Sequence, residues 1–134
     1  MESSRWLWIV LILLGIVLWR RGSGYGGPQV TVQELKALLE RPSAEAAAAV
    51  LIDVREPEEF AAGHVPGARN IPLSEVARRS AELPAGATVF VICQVGGRSA
   101  VACQMLAGRL PGARVVNVEG GTSAWQAAGF PLER

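Results

Sequence analysis

Two cysteines and a single histidine, His64, are all that this 134-residue chain offers in the way of soft metal ligands. Two cysteines ten positions apart are too few for a disulfide framework and match no zinc-ligand spacing, so neither a metal site nor a cofactor is expected. The lone histidine has no second group to orient it as a general base, and a structural role is expected for it. A basic stripe is also missing. From Val30 onward ten Lys/Arg stand against eleven Asp/Glu, and the overall charge of +1 comes from the residues before it. A nucleic-acid partner is therefore not expected.

Charge is absent altogether from Trp6 to Trp19, "WLWIVLILLGIVLW", between Arg5 and Arg20-Arg21. As a helix this run spans about 21 Å, short of the roughly 30 Å hydrocarbon core of a bilayer. Extended to Ser3 and Arg21 it reaches about 28 Å, with the arginines snorkelling and Trp6, Trp8 and Trp19 at the interfaces. A signal peptide is the rival reading, and a buried core helix a weaker one. No clear A-x-A cleavage site follows, and Arg20-Arg21 abut the apolar run. The expectation is a single-pass anchor over 1–21, then a Gly-rich linker over 22–29 and one domain over 30–134. Two arginines after the span against one before it favour a cell membrane location with the domain in the cytoplasm.

The domain alternates helical and extended patterns. Thr31-Val32-Gln33-Glu34 has capping-box form ahead of Leu35, Leu38 and Leu39, and Pro42 closes that helix. The alanine-biased stretch 44–50 is read as loop. Strands are expected over 50–54, 68–72, 88–93 and 114–118. Helices are expected over 57–62, from a Ser74 cap to Leu83, over 98–110 and over 122–128, where Trp125 packs the last helix onto the sheet. Uniformly apolar strands between helices indicate an α/β domain with a mainly parallel sheet. In such sheets ligands bind beyond the carboxyl ends of the strands. Cys93 ends one strand; Asp53 and Arg55 end another.

The segment "VICQVGGRS", Val91 to Ser99, leaves its strand through a cysteine and two glycines. Such a loop turns successive backbone N–H groups toward one point, and the following helix N-terminus adds its free amides and positive dipole end. A cysteine there has a lowered pKa. Gly96 and Gly97 are read as permitting the backbone angles required, and Arg98 as a forked donor for an oxyanion. Cys103, inside the helix, is read as core.

"LIDVREPEEFAAGHVPGARNIP" (51–72), "CQVGGRS" (93–99) and "VVNVEGGTSAWQAAGFPL" (115–132) together resemble the three signatures of the rhodanese domain. The resemblance implies a three-layer fold, a five-stranded parallel sheet flanked by helices. It implies that Cys93 takes sulfane sulfur from a small anionic donor such as thiosulfate, becomes a persulfide, and passes the sulfur to a thiol, cyanide or protein acceptor. The amides of Gln94, Val95, Gly96, Gly97 and Arg98 would cradle the persulfide, with Ser99, Asp53 and Arg55 in support. In the family the histidine of the "GH-x-PGA" segment is structural. Phosphatases and arsenate reductases of the same fold use Cys-x5-Arg; here Arg98 follows Cys93 after four residues and Ser99 stands where their arginine would be. A sulfur carrier or docking module remains the alternative from another class.

Overall fold

The computed structural model describes residues 25–41 and 43–134. In chain order the elements are β1 (Gln29–Val30), α1 (Val32–Glu40), α2 (Ala44–Ala48), β2 (Ala49–Asp53), α3 (Pro57–Ala62) and β3 (Arg69–Asn70). Then follow α4 (Leu73–Arg79), a 3₁₀ turn (Ser80–Glu82), β4 (Thr88–Ile92), α5 (Gly97–Arg109), β5 (Arg114–Val118) and α6 (Gly121–Ala127). The five strands form one sheet in the order β1-β5-β4-β2-β3, and every pairing is parallel. The anchor expected over 1–21, the first part of the linker expected over 22–29, and Pro42 lie outside the described residues. Among the described residues no helix is long and apolar enough to cross a membrane.

Successive side chains of a strand face opposite sides, so the central apolar strands must be covered twice. Val89, Val91 and Cys93 pack with Ile52, Val76, Ala102, Cys103 and Leu106, under α4 and α5. Phe90 and Ile92 pack with Val32, Leu35, Leu51, Val116 and Trp125, under α1 and α6. Trp125 is buried, stands edge-on to Phe130 at 5.1 Å, and donates its indole N–H to the Pro131 carbonyl at 2.7 Å. The register puts Asp53 beside Ile92 and Val91 beside Asn117. The carboxyl ends of β2, β4 and β5 thus meet at one edge, where Cys93 emerges.

Four local expectations need correction. Residues 44–48 form α2 rather than a loop: alanine is the best helix former, and Ala47 N–H finds the Ser43 carbonyl at 3.0 Å. The folded domain begins before residue 30. Gln29 is buried in β1, whose ladder to β5 includes Asn117 N–H to Pro28 O at 3.0 Å, and the Tyr25 hydroxyl donates to Val115 O at 2.9 Å. Helix α4 starts at Leu73 with Pro72 at its N-cap position, ahead of the expected Ser74 cap, and gives way to a 3₁₀ turn before Leu83. β3 is shorter than 68–72, since Pro72, with no N–H, cannot continue a ladder. Otherwise boundaries fall within a residue or two of the pattern.

Leu106 is fully buried at the centre of the α5 face. Leu106→Ala should lower unfolding free energy by about 2–5 kcal/mol, through lost apolar transfer and the cavity left behind. Urea denaturation of wild type and variant checks this.

Candidate active site

Strand alternation points Cys93 to the α5 side of the sheet, and the residue is almost wholly buried. Four residues later, at Gly97, the chain enters α5. For the loop to turn that tightly, Gly96 takes φ +110°, in the left-handed region that favours glycine. Its N–H then points back at Cys93 Sγ, 3.0 Å away. Ser99, fully buried in the first turn of α5, brings its Oγ to 3.3 Å from the same sulfur. That hydroxyl also reaches the Gly96 carbonyl at 3.1 Å, so a thiol donates to Ser99 whereas a thiolate requires the hydroxyl to turn toward sulfur. Burial alone would push the Cys93 thiol up. The Ser99 hydroxyl and the amides of Ser99, Gly96 and Val95 more than reverse this, and its pKa lies below the ordinary cysteine value. Gly97 departs from expectation: it opens α5 without a positive φ, and an added Cβ would meet nothing within 4 Å. Gly96 alone of the pair provides the turn.

The outer side of the loop is pinned by α6. Cys93 O accepts from Thr122 N–H at 2.9 Å and from Thr122 Oγ1 at 3.2 Å, and Gln94 O accepts from Ser123 N–H at 3.0 Å. With both carbonyls facing α6, the loop amides are left facing inward. The contact is close enough that a Cβ on Gly121, itself at φ +58°, would lie 2.3 Å from Cys93 O. Gly121, Thr122 and Ser123 carried no expected role; the doubled glycine before a helix, repeating the Gly96-Gly97 pattern, was the available signal.

Asp53 and Arg55 make the third wall. Asp53 is fully buried; its Oδ2 accepts from Arg55 Nη2 at 2.8 Å and its Oδ1 from Arg55 N–H at 3.0 Å. The same Nη2 also donates to Gly63 O at 2.7 Å, and Nη1 donates to Gln94 Oε1 at 3.2 Å. Gln94 in turn donates to Ser123 Oγ at 2.8 Å. Both buried charges are thus satisfied, which such groups require, and the chain Asp53–Arg55–Gln94–Ser123 ties the ends of β2 and β4 to α6. Arg98 behaves differently from the forked oxyanion donor expected. Its two terminal nitrogens bond Glu59 of α3 at 2.7 and 2.9 Å, fork to fork. That bonding, against opposing burial and with help from the Glu56 amide, holds the Glu59 carboxyl down at about 2. Glu59 was not singled out in the sequence, where it is only one residue of the helix expected over 57–62.

His64 is structural: it stacks on Phe60 at 3.7 Å, its Nδ1 lies 2.9 Å from Phe60 O, and its backbone pairs with Glu133. Cys103 is fully buried in the core, and burial first, then the nearby Cys93 charge, push its thiol well up. Beside the loop a cleft of about 300 Å³ is lined by Arg55, Glu59, Gln94, Thr122, Gln126 and Leu132. A hollow of about 350 Å³ against Tyr25, Pro28 and Leu110 touches none of the Cys93–Ser99 loop. Among the described residues no cluster of three or more His, Cys, Asp or Glu is placed to hold a metal ion.

Fold and site together define a buried cysteine whose sulfur sits among backbone and hydroxyl hydrogen-bonding groups at the carboxyl edge of a parallel sheet. Residues 31–128 match the rhodanese-like domain family, and the chain belongs to it. It is 46% identical over 78 residues to the uncharacterized protein YqhL of Bacillus subtilis, a match covering 58% of this chain and 60% of that one. It is 37% identical over 83 residues to a sulfurtransferase of Allochromatium vinosum, covering 62% and 77% of the two chains. The crystal structure of a rhodanese-related protein from Thermoplasma volcanium superposes with a TM-score of 0.68 at 31% identity, over 78% of this chain and 96% of that one.

Gly121→Ala should push the Cys93–Gln94 carbonyls off α6 and displace the sulfur cradle. Persulfide formation should fall on the order of 10²-fold, the scale of an ångström-sized misplacement. Alkylation rates of Cys93 alongside circular dichroism separate this from global unfolding.

Proposed function

We propose that the protein is a membrane-anchored sulfurtransferase, which moves sulfane sulfur from a donor such as thiosulfate through a Cys93 persulfide to a thiophilic acceptor. The observation that carries this is the set of donors converging on Cys93 Sγ, the Gly96 amide at 3.0 Å and Ser99 Oγ at 3.3 Å. They favour negative charge on sulfur and lower its pKa below the ordinary cysteine value. The thiolate attacks the outer sulfur of thiosulfate, the S–S bond breaks, and sulfite leaves with the bonding pair. An acceptor thiolate, cyanide or protein cysteine then attacks the outer sulfur of the persulfide, and Cys93 departs as the thiolate it began as. No proton acceptor is needed, consistent with His64 facing Phe60. The relative in Allochromatium, named a sulfurtransferase, supports the same reading. The Cys-x4-Arg spacing, with Arg98 bonded to Glu59, speaks against phosphate or arsenate chemistry.

A sulfur-carrier role is favoured by one observation: Arg55 and Arg98 are each bonded to a carboxylate, which leaves thiosulfate less charge to meet. In either role residues 1–21 would hold the protein in the cell membrane, with Arg20 and Arg21 keeping the domain in the cytoplasm. The full chain should then stay with membranes through a high-salt wash and leave only with detergent, since burial of apolar area is not screened by salt. Release by salt alone would contradict the anchor.

Offered thiosulfate or an organic persulfide, the protein should gain the mass of one sulfur atom. Cys93→Ser should abolish the gain and Cys103→Ser should leave it nearly intact. Equal loss in both folded variants would show a relay through two cysteines instead. Loading by a persulfide but not by thiosulfate would favour the carrier role.

A further inference from the structure

We infer that Glu59 is a specificity-determining residue that acts through Arg98, turning the site from oxyanion donors toward sulfane donors uncharged at the reacting end, such as a protonated organic persulfide. This rests on the sulfurtransferase reading of Cys93. Arg98 is the second residue of α5, directly after the glycine pair, on the helix whose first turn faces the sulfur, and the Cys93 charge is among the influences holding its guanidinium protonated. It is more exposed than the other cation at the site, Arg55, and so open to an anionic donor from solvent. Both of its terminal nitrogens are nonetheless taken by Glu59.

Glu59 is well held in that position. It sits in the first turn of α3, and its Oε1 also accepts the Glu56 amide at 3.1 Å, so helix capping fixes the carboxylate before Arg98 meets it. The carboxyl lies far below the ordinary carboxylate range, and the pair stays charged at any pH near neutrality. The other cation at the site, Arg55, is matched by Asp53. Each arginine beside the loop is therefore paired with a carboxylate, which leaves an anion less side-chain charge to meet. Glu59 itself lines the cleft beside Gln94, where a dianionic donor would meet its carboxylate.

The two donors differ in what they ask of this rim. Thiosulfate brings two negative charges and releases sulfite, which carries them away. A protonated persulfide brings none: the Cys93 thiolate attacks its outer sulfur, the S–S bond breaks, the organic thiolate leaves with the pair, and the proton stays on the new persulfide until solvent removes it. The backbone cradle suffices for the second reaction. The first requires Arg98 to leave Glu59 or to be shared with it.

The test compares the full-length protein with Glu59→Gln, whose amide oxygen still accepts the Glu56 N–H but carries no charge. The readout is the rate of sulfur loading from thiosulfate relative to cysteamine persulfide, whose ammonium offsets any charge on its sulfur. The ratio should rise about tenfold or more in Glu59→Gln, as a charge-assisted pair is released. It should not rise in the double variant Glu59→Gln/Arg98→Ala. An unchanged ratio, or a fall caused by selective loss of thiosulfate use, would overturn the inference: the first makes Glu59 merely structural, the second makes the pair itself the anion site. Failure of both donors to load wild-type Cys93 would instead overturn the sulfurtransferase reading, and this inference with it.

Discussion

The grip of Thr122 on the carbonyl of Cys93 is the contact on which the rest of the site depends. A peptide unit whose C=O is fixed on one side presents the neighbouring N–H groups to the other. By holding Cys93 O and Gln94 O against α6, the chain commits the loop amides to the sulfur. The grip requires α6 to approach to within the radius of a missing side chain, hence glycine at 121. It also requires β4 and β5 to be neighbours ending at the same edge, which the parallel register supplies.

The electrostatics follow from dipoles more than from charges. Cys93 and Cys103 share one face of the sheet, both buried, yet their thiols are displaced in opposite directions. Burial disfavours the thiolate in both. At Cys93 the Ser99 hydroxyl and three amides overcome it, whereas at Cys103 burial prevails and the Cys93 charge adds to it. Fixed dipoles of this kind need little reorganisation when charge develops, and they act strongly where water is excluded. The ionic groups nearby serve other ends: Asp53–Arg55 braces the strand termini through Gln94, and Glu59–Arg98 joins α3 to the start of α5.

Much of this was legible because its causes are local. The run of apolar residues over 88–92 could only be a strand covered on both faces, and a cysteine followed by glycines and a helix could only be an exposed set of amides. What escaped was set by partners distant in sequence. Gln29–Val30 is too short to show a period and becomes a strand only because β5 offers an edge. Residues 44–48 lack any amphipathic stripe, and alanine propensity decided them. Gly97 looks equivalent to Gly96 in the sequence, but only one of the two needed the left-handed region. Glu59 lies 39 residues from Arg98, and no local pattern indicates that a capping glutamate will clamp an arginine on another helix.

The claim that the loop stabilises negative charge on one sulfur is tested most directly by titrating Cys93 itself. In the Cys103→Ser background, the ultraviolet absorbance of the thiolate should rise with pH through a midpoint below the roughly 8.5 of an unperturbed cysteine. Replacing Ser99 with Ala should move that midpoint upward. A midpoint at or above the unperturbed value, with the fold intact, would mean that burial outweighs the hydrogen bonds and would contradict the account.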